Sequence, residues 1–251
     1  MKKTILVYLL SILSLNFLLN QALNAQHIEV SEKGFYELKE HFDQQNGPDY
    51  NLLNGRQYER LNSGNSHPFF NTEQYRPGSI VLKGQAYENV PINYDIHDQQ
   101  LILQYPGISG NTGNSGQDLK IVLNRALIDH FQIDGLSFRR ISEPETGSSF
   151  FQVLSSGHIS CFLRWEKTLF HSTASGITSY TYSKQSREVY LQKEGKLFPV
   201  KNSASFTSVF DEAFQKDIKA FLRREKINFR NASEKQLLEL MNFCVELRPE
   251  D

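Results

Sequence analysis

The sequence has little of what usually ties a chain to a functional class. Only two cysteines occur among 251 residues, which excludes a small scaffold held together by disulfides. There is no basic surplus either, since 27 Lys and Arg stand against 28 Asp and Glu. A nucleic-acid binder that displaces counterions from phosphates needs that surplus, so nucleic acid is excluded as an electrostatically driven partner. After residue 25 no apolar run approaches the roughly 20 residues that cross a bilayer as a helix, and no transmembrane segment is expected in the mature chain. What is present argues against disorder. Hydrophobic residues make up 39% of the chain and aromatics 12%, enough for a real core in one large β-rich domain or two small ones.

The first 25 residues read as a secretory signal peptide. Met1-Lys2-Lys3 gives a positive start, Thr4 to Leu19 is an uncharged run dominated by Ile, Leu, Val and Phe, and Ala25 offers a small residue for cleavage ahead of Gln26. No cysteine sits near that point to carry a lipoprotein anchor. Removal of the leader would leave about 226 residues with 25 basic and 28 acidic side chains. The expected location is the periplasm or cell envelope, or the extracellular space.

Residues 26–77 carry scattered apolar positions with many Asn, Gly and Gln, and read as an irregular segment with a short helix over 31–42. From 78 to 202 the pattern is strand-like. Short β-branched and aromatic runs at 79–83, 90–95, 100–105, 119–123, 131–134, 136–141, 149–154, 158–165, 177–182, 187–192 and 197–200 recur at about ten-residue spacing. His97-Asp98-Gln99, Asp134-Gly135 and Glu194-Gly195 supply turns between them. With no helices interposed, this predicts a mainly β, α+β protein: an antiparallel sandwich or open barrel of about 8–10 short strands.

Over 203–248 the period changes to 3.6. Phe210, Phe214, Ile218, Phe221 and Leu222 share one helical face, with Asp211 placed to cap it. Lys216, Lys219, Arg223 and Arg224 on the other side read as a solvated face whose charge suits the helix C-terminus. A second helix is expected from Ser233, with Gln236 completing a capping box, to about Leu247. The pair should pack on the sheet.

Cys161 falls on the apolar parity of the 158–165 strand, with Ile159, Leu163 and Trp165, and Cys244 on the apolar stripe of the last helix. Packing that helix on the sheet would allow a Cys161–Cys244 disulfide; two buried free thiols are the alternative.

Searches for chemistry return little. No Gly-x-Ser-x-Gly elbow is present, and the Gly-rich run at 106–117 lacks the Gly-Lys-Ser/Thr ending of a phosphate loop. Asp95, His97 and Asp98 could offer two or three ligands to a weakly held divalent ion, but polar residues at a hairpin tip explain the same letters. No metal or cofactor is therefore assigned, and no catalytic residue. An uncatalogued enzyme would gain weight if Asp95, His97, His130 or His158 met in one cleft, and would lose it if they were dispersed. Aromatics give the better hint. Some strands carry rings on both faces, and Phe69, Phe70, Phe162, Tyr180 and Tyr182 form the candidate ligand or partner surface. A covered second face would explain the same pattern.

Several stretches taken together resemble a family of exported Bacteroidetes-type proteins of uncharacterised function: Leu53-Asn-Gly-Arg-Gln-Tyr58, His67-Pro-Phe-Phe70, Gly84 to Asp95 with Gln100-Leu-Ile-Leu103, and Glu188 to Lys201 followed by paired helices. The resemblance covers most of residues 50–248 and implies an envelope location and a β-rich body, with no activity to transfer. Two functions are expected from these observations. One is a non-catalytic envelope module that binds another protein or an envelope component. The other is a lipocalin-like carrier that holds an apolar small molecule inside a barrel.

Overall fold

The structure is a computed structural model that describes residues 52–105, 118–143 and 147–247. The leader, the helix expected over 31–42 and the Gly-rich loop at 106–117 lie outside the described residues.

Among the described residues thirteen strands are followed by three α-helices. The strands are β1 (Arg56–Gln57), β2 (Arg76–Leu82), β3 (Gln85–Asp95), β4 (Gln100–Tyr105), β5 (Leu119–Val122), β6 (Ile128–Ile133) and β7 (Leu136–Glu143). They continue with β8 (Gly147–Ser155), β9 (Ile159–Glu166), β10 (Leu169–Ala174), β11 (Ile177–Tyr182), β12 (Ser186–Lys193) and β13 (Lys196–Val200). The helices are α1 (Ser203–Thr207), α2 (Glu212–Arg224) and α3 (Glu234–Glu246).

Eleven strands form one antiparallel sheet in the order β1-β5-β4-β3-β2-β6-β7-β8-β9-β12-β13, which does not close into a barrel. Three of its hairpins, at Lys83-Gly84, Asp134-Gly135 and Glu194-Gly195, and the separate β10–β11 pair, at Ser175-Gly176, are set by two-residue turns with both φ values positive. These are the conditions of the type I′ turn, whose twist matches that of the strands, and glycine at the second position relieves the steric cost.

The sheet bends back on itself through buried polar contacts. Gln99, at the β3–β4 turn, accepts the Tyr94 hydroxyl at 2.6 Å and donates its amide to the Trp165 carbonyl at 2.8 Å. The Tyr94 hydroxyl also lies 3.4 Å from the Phe150 carbonyl on β8. The concave side so formed is filled by rings. Phe131 and Phe138 stack at 4.8 Å, and Tyr94 and Phe150 meet them edge-on. The space inside the curl of the open sheet is thus occupied by the protein's own side chains.

A second core lies where β9, β12 and β13 meet the helices, joining Leu163, Leu191 and Val200 to Ile218, Leu222 and Leu240. Trp165 packs against both cores and donates its indole N–H to Gln152 at 2.7 Å. The two strands beyond the expected 8–10 that matter most are β1, only two residues long, and β10, which lacks apolar alternation. α1 is similarly too short to show a helical period. Ser233 and Gln236 do form a capping box. Asp211 sits at the N-cap of α2 without a capping bond, because its Oδ1 is drawn to the Lys193 ammonium at 3.0 Å.

Candidate functional site

Two strands do not join the large sheet. β10 and β11 pair only with each other and project as a separate hairpin. Between Leu169 and Tyr182 there is no Lys, Arg, Asp, Glu or Pro. The register fixes which side chains share a face, because directly opposed residues point the same way. Phe170 with Thr181, Ser172 with Ser179, and Ala174 with Ile177 occupy one face. Leu169 with Tyr182, His171 with Tyr180, and Thr173 with Thr178 occupy the other.

The second face is turned toward the body at its root, while His171, Thr173 and Thr178 farther out are exposed. Tyr180 and Tyr182 are half-buried, and the Tyr182 ring meets His97 edge-on at 5.3 Å. The first face is open, leaving Phe170 57% and Ile177 73% exposed. Of the aromatic positions singled out from sequence, only the two tyrosines belong to this hairpin. Phe69, Phe70 and Phe162 are at most 3% exposed and do not form a surface for a partner. Phe162 lies on the face of β9 opposite Cys161 and Leu163, which meet the helices. That face is covered too, by a small cluster of Ile141, Phe151, Phe162 and Leu197. Sequence reasoning missed Phe170 because β10 has no alternating pattern. Ser175-Gly176, a turn dipeptide between two β-forming runs, is the signal that reveals the hairpin.

The root of the hairpin is built on a buried carboxylate. Asp95 is 2% exposed. Its Oδ1 accepts the backbone N–H groups of His97 at 2.9 Å and Asp98 at 3.0 Å, closing the β3–β4 turn, and its Oδ2 accepts the Tyr58 hydroxyl at 3.3 Å. His97 Nδ1 lies 2.9 Å from the Lys167 carbonyl, a hydrogen bond that requires the proton on Nδ1. Lys167, two residues before β10, donates its ammonium to the His67 carbonyl at 2.8 Å. The Tyr182 N–H donates to Ser66 Oγ at 2.9 Å. The β3–β4 turn and the 63–67 loop therefore hold both ends of the hairpin.

Burial sets the protonation behaviour of this root. Desolvation pushes the Asp95 carboxyl above its ordinary range, against the pull of the two backbone donors. Desolvation also lowers His67, helped by the nearby Lys167 ammonium, and lowers Lys167 itself. Asp95, His97, His130 and His158 do not meet in one cleft. Asp95 and His97 share the turn, whereas His130 lies across from Arg139 on β6, and His158 lines a cavity beside α2 and α3. Among the described residues no three His, Cys, Asp or Glu side chains group as a metal site.

That cavity, of about 270 Å3, lies among Ile159, Phe210, Phe214, Met241, Cys244 and Val245. Cys161 and Cys244 belong to the core beside it, both as buried free thiols.

No protein-family profile, curated protein or solved structure matches this chain. The functional reading rests on its own residues.

Proposed function

We propose that the protein is an exported envelope module that acts by binding, and that it engages a partner protein through the open face of the β10–β11 hairpin. The observation that carries this reading is the exposure of Phe170 and Ile177 on a projecting strand pair without charge or proline. Exposed strands normally carry charge, proline or a cover, because unpaired edges and apolar faces invite association. A hairpin without such protection, whose two ends are tied to a buried polar root, suits a surface that is meant to be covered by another protein. Export is supported by the leader-like first 25 residues.

The test is envelope crosslinking with mass spectrometry in the producing cell, comparing the wild type with Phe170→Asp/Ile177→Asp. A specific adduct that is lost in the double variant, with expression and N-terminal processing at Gln26 unchanged, is expected. An identical adduct pattern in both would sink the reading.

The carrier reading keeps one supporting observation, moved from the sheet to the helices. The apolar cavity of about 270 Å3 beside α3 is close to the lower size of small-molecule sites, about 300 Å3. Co-purified apolar compound in native mass spectrometry, lost on Val245→Trp, is the outcome it requires.

A further inference from the structure

A groove of about 620 Å3 runs along the outer side of β11, with residues 178–181 as one wall and the loop 62–66 as the other. From this groove we infer a binding site for a neutral oligosaccharide at the outer edge of β11; it shares Ser179 and Thr181 with the open hairpin face assigned above to a partner protein but not Phe170 or Ile177.

The groove walls carry no charged side chain. None of the residues that line the groove is Lys, Arg, His, Asp or Glu, so an anionic or cationic ligand would lose its hydration there without a counter-charge. Nor is it an apolar slot. Beside the carbon surface of Tyr180 and the threonines, its walls present amides, hydroxyls and backbone groups, whose desolvation a pure hydrocarbon ligand would not repay. Neutral hydroxyl-rich ligands are the class that can satisfy such walls.

The walls are fixed before any ligand arrives. Ser63 Oγ donates to the Ser66 carbonyl and Ser66 Oγ to the Ser63 carbonyl, both at 2.7 Å. Gly64, with φ of 58°, donates its N–H to Asn62 Oδ1. The Tyr182 N–H to Ser66 Oγ bond then ties the loop to the strand. A pre-set site loses less freedom on binding than a flexible one.

The groups left for a ligand are complementary to a sugar. Ser183 donates its N–H to Thr168, so by antiparallel alternation the backbone N–H and C=O of Tyr182, Tyr180 and Thr178 point away from β10. Tyr182 is taken by Ser66. Tyr180 and Thr178 are left facing the groove with two donors and two acceptors. Among the described residues the Asn65 amide and the Thr181 hydroxyl have no hydrogen-bond partner, and Asn62 keeps its amide N–H groups. Tyr180, half-buried and in the groove wall, adds a flat ring with an apolar face and a polar tip. The volume is within the ordinary range for ligand sites, about 300–1,000 Å3.

The test uses the full mature chain, 15N-labelled, titrated with tetra-N-acetylchitotetraose and with maltotetraose, and separately with the uncharged blocked peptide acetyl-Thr-Val-Thr-amide. Saturable shifts at the amides of residues 62–66 and 178–181 with either sugar are expected, weakened about tenfold or more by Asn65→Ala. Because Tyr180→Ala could loosen the hairpin, Tyr180→Phe and Asn65→Ala serve as the informative variants, with the cross-strand contacts of β10 and β11 checked in each. Absence of saturation by both sugars at about 10 mM, saturation by the peptide alone, or shifts confined to other residues would each overturn the inference. Loss of the protein adduct in Phe170→Asp/Ile177→Asp should leave sugar binding intact, so the two readings fail separately.

Discussion

Asp95 carries three donors on its two oxygens while almost fully shielded from water, and its protonation is therefore a stability term. Its folded pKa is raised by burial, so the folded chain keeps a proton that an unfolded carboxyl releases near about 3.9. The contribution is present in acid and is lost as pH rises from about 3.9 through the folded value. Chemical denaturation should show the stability of wild type relative to Asp95→Asn declining across that window, and a pH-independent difference would refute the assignment. His67 has the opposite sign. Its folded pKa is lowered by burial, so the unfolded imidazole takes a proton first and stability falls as pH drops below about 6.5. The hydrogen-exchange protection of the Tyr182 amide should fall with it, and His67→Gln should flatten that response. The cysteines behave more simply. Burial pushes both thiols up to about 12, so neither should react with iodoacetamide until the chain unfolds. Modification at native pH without loss of structure would contradict the packing around α3.

At the scale of elements, legibility followed physical cause. β4 and β11 appear in the sequence with the bounds they have in the structure, because each is flanked by turn residues that stop it. α3 is equally clear, since its capping box and its apolar stripe agree. β10 was hidden because neither of its faces enters a core, so no period of two was imposed on Leu169–Ala174. The same cause displaced the candidate site. Ring-bearing positions were the natural choice, yet the pleat turns Tyr180 and Tyr182 inward and leaves Phe170 and Ile177 outside. Gly176 carries φ of 78° in the turn that sets this register. Gly176→Val should cost about 1–2 kcal/mol of local strain, removing the cross-strand contacts of β10 and β11. The melting temperature of the eleven-stranded sheet should stay unchanged, because the hairpin shares no strand with it.

For the whole molecule, the point of unity is Trp165. It touches the ring-filled core under the curled sheet and the core shared with the helices, and it is the single tryptophan of the chain. Its fluorescence and the far-UV circular dichroism should therefore report one coincident unfolding transition. Trp165→Ala should lower stability by about 3 kcal/mol or more and separate the two halves into distinct transitions. The sequence showed both regions, strands to about residue 202 and helices after it, but not their coupling. That coupling depends on Gln99 and Gln152, two buried polar residues whose long-range bonds have no periodic signature.

Contact between the open hairpin face and a partner protein can be read by a photo-crosslinking scan. A photoreactive residue is placed in turn at positions 170 to 173 and 177 to 180 in the producing cell. The account predicts protein adducts that alternate with the pleat, strong at 170, 172, 177 and 179 and weak at 171, 173, 178 and 180. Adducts without that alternation, or none at 170 and 177, would contradict it.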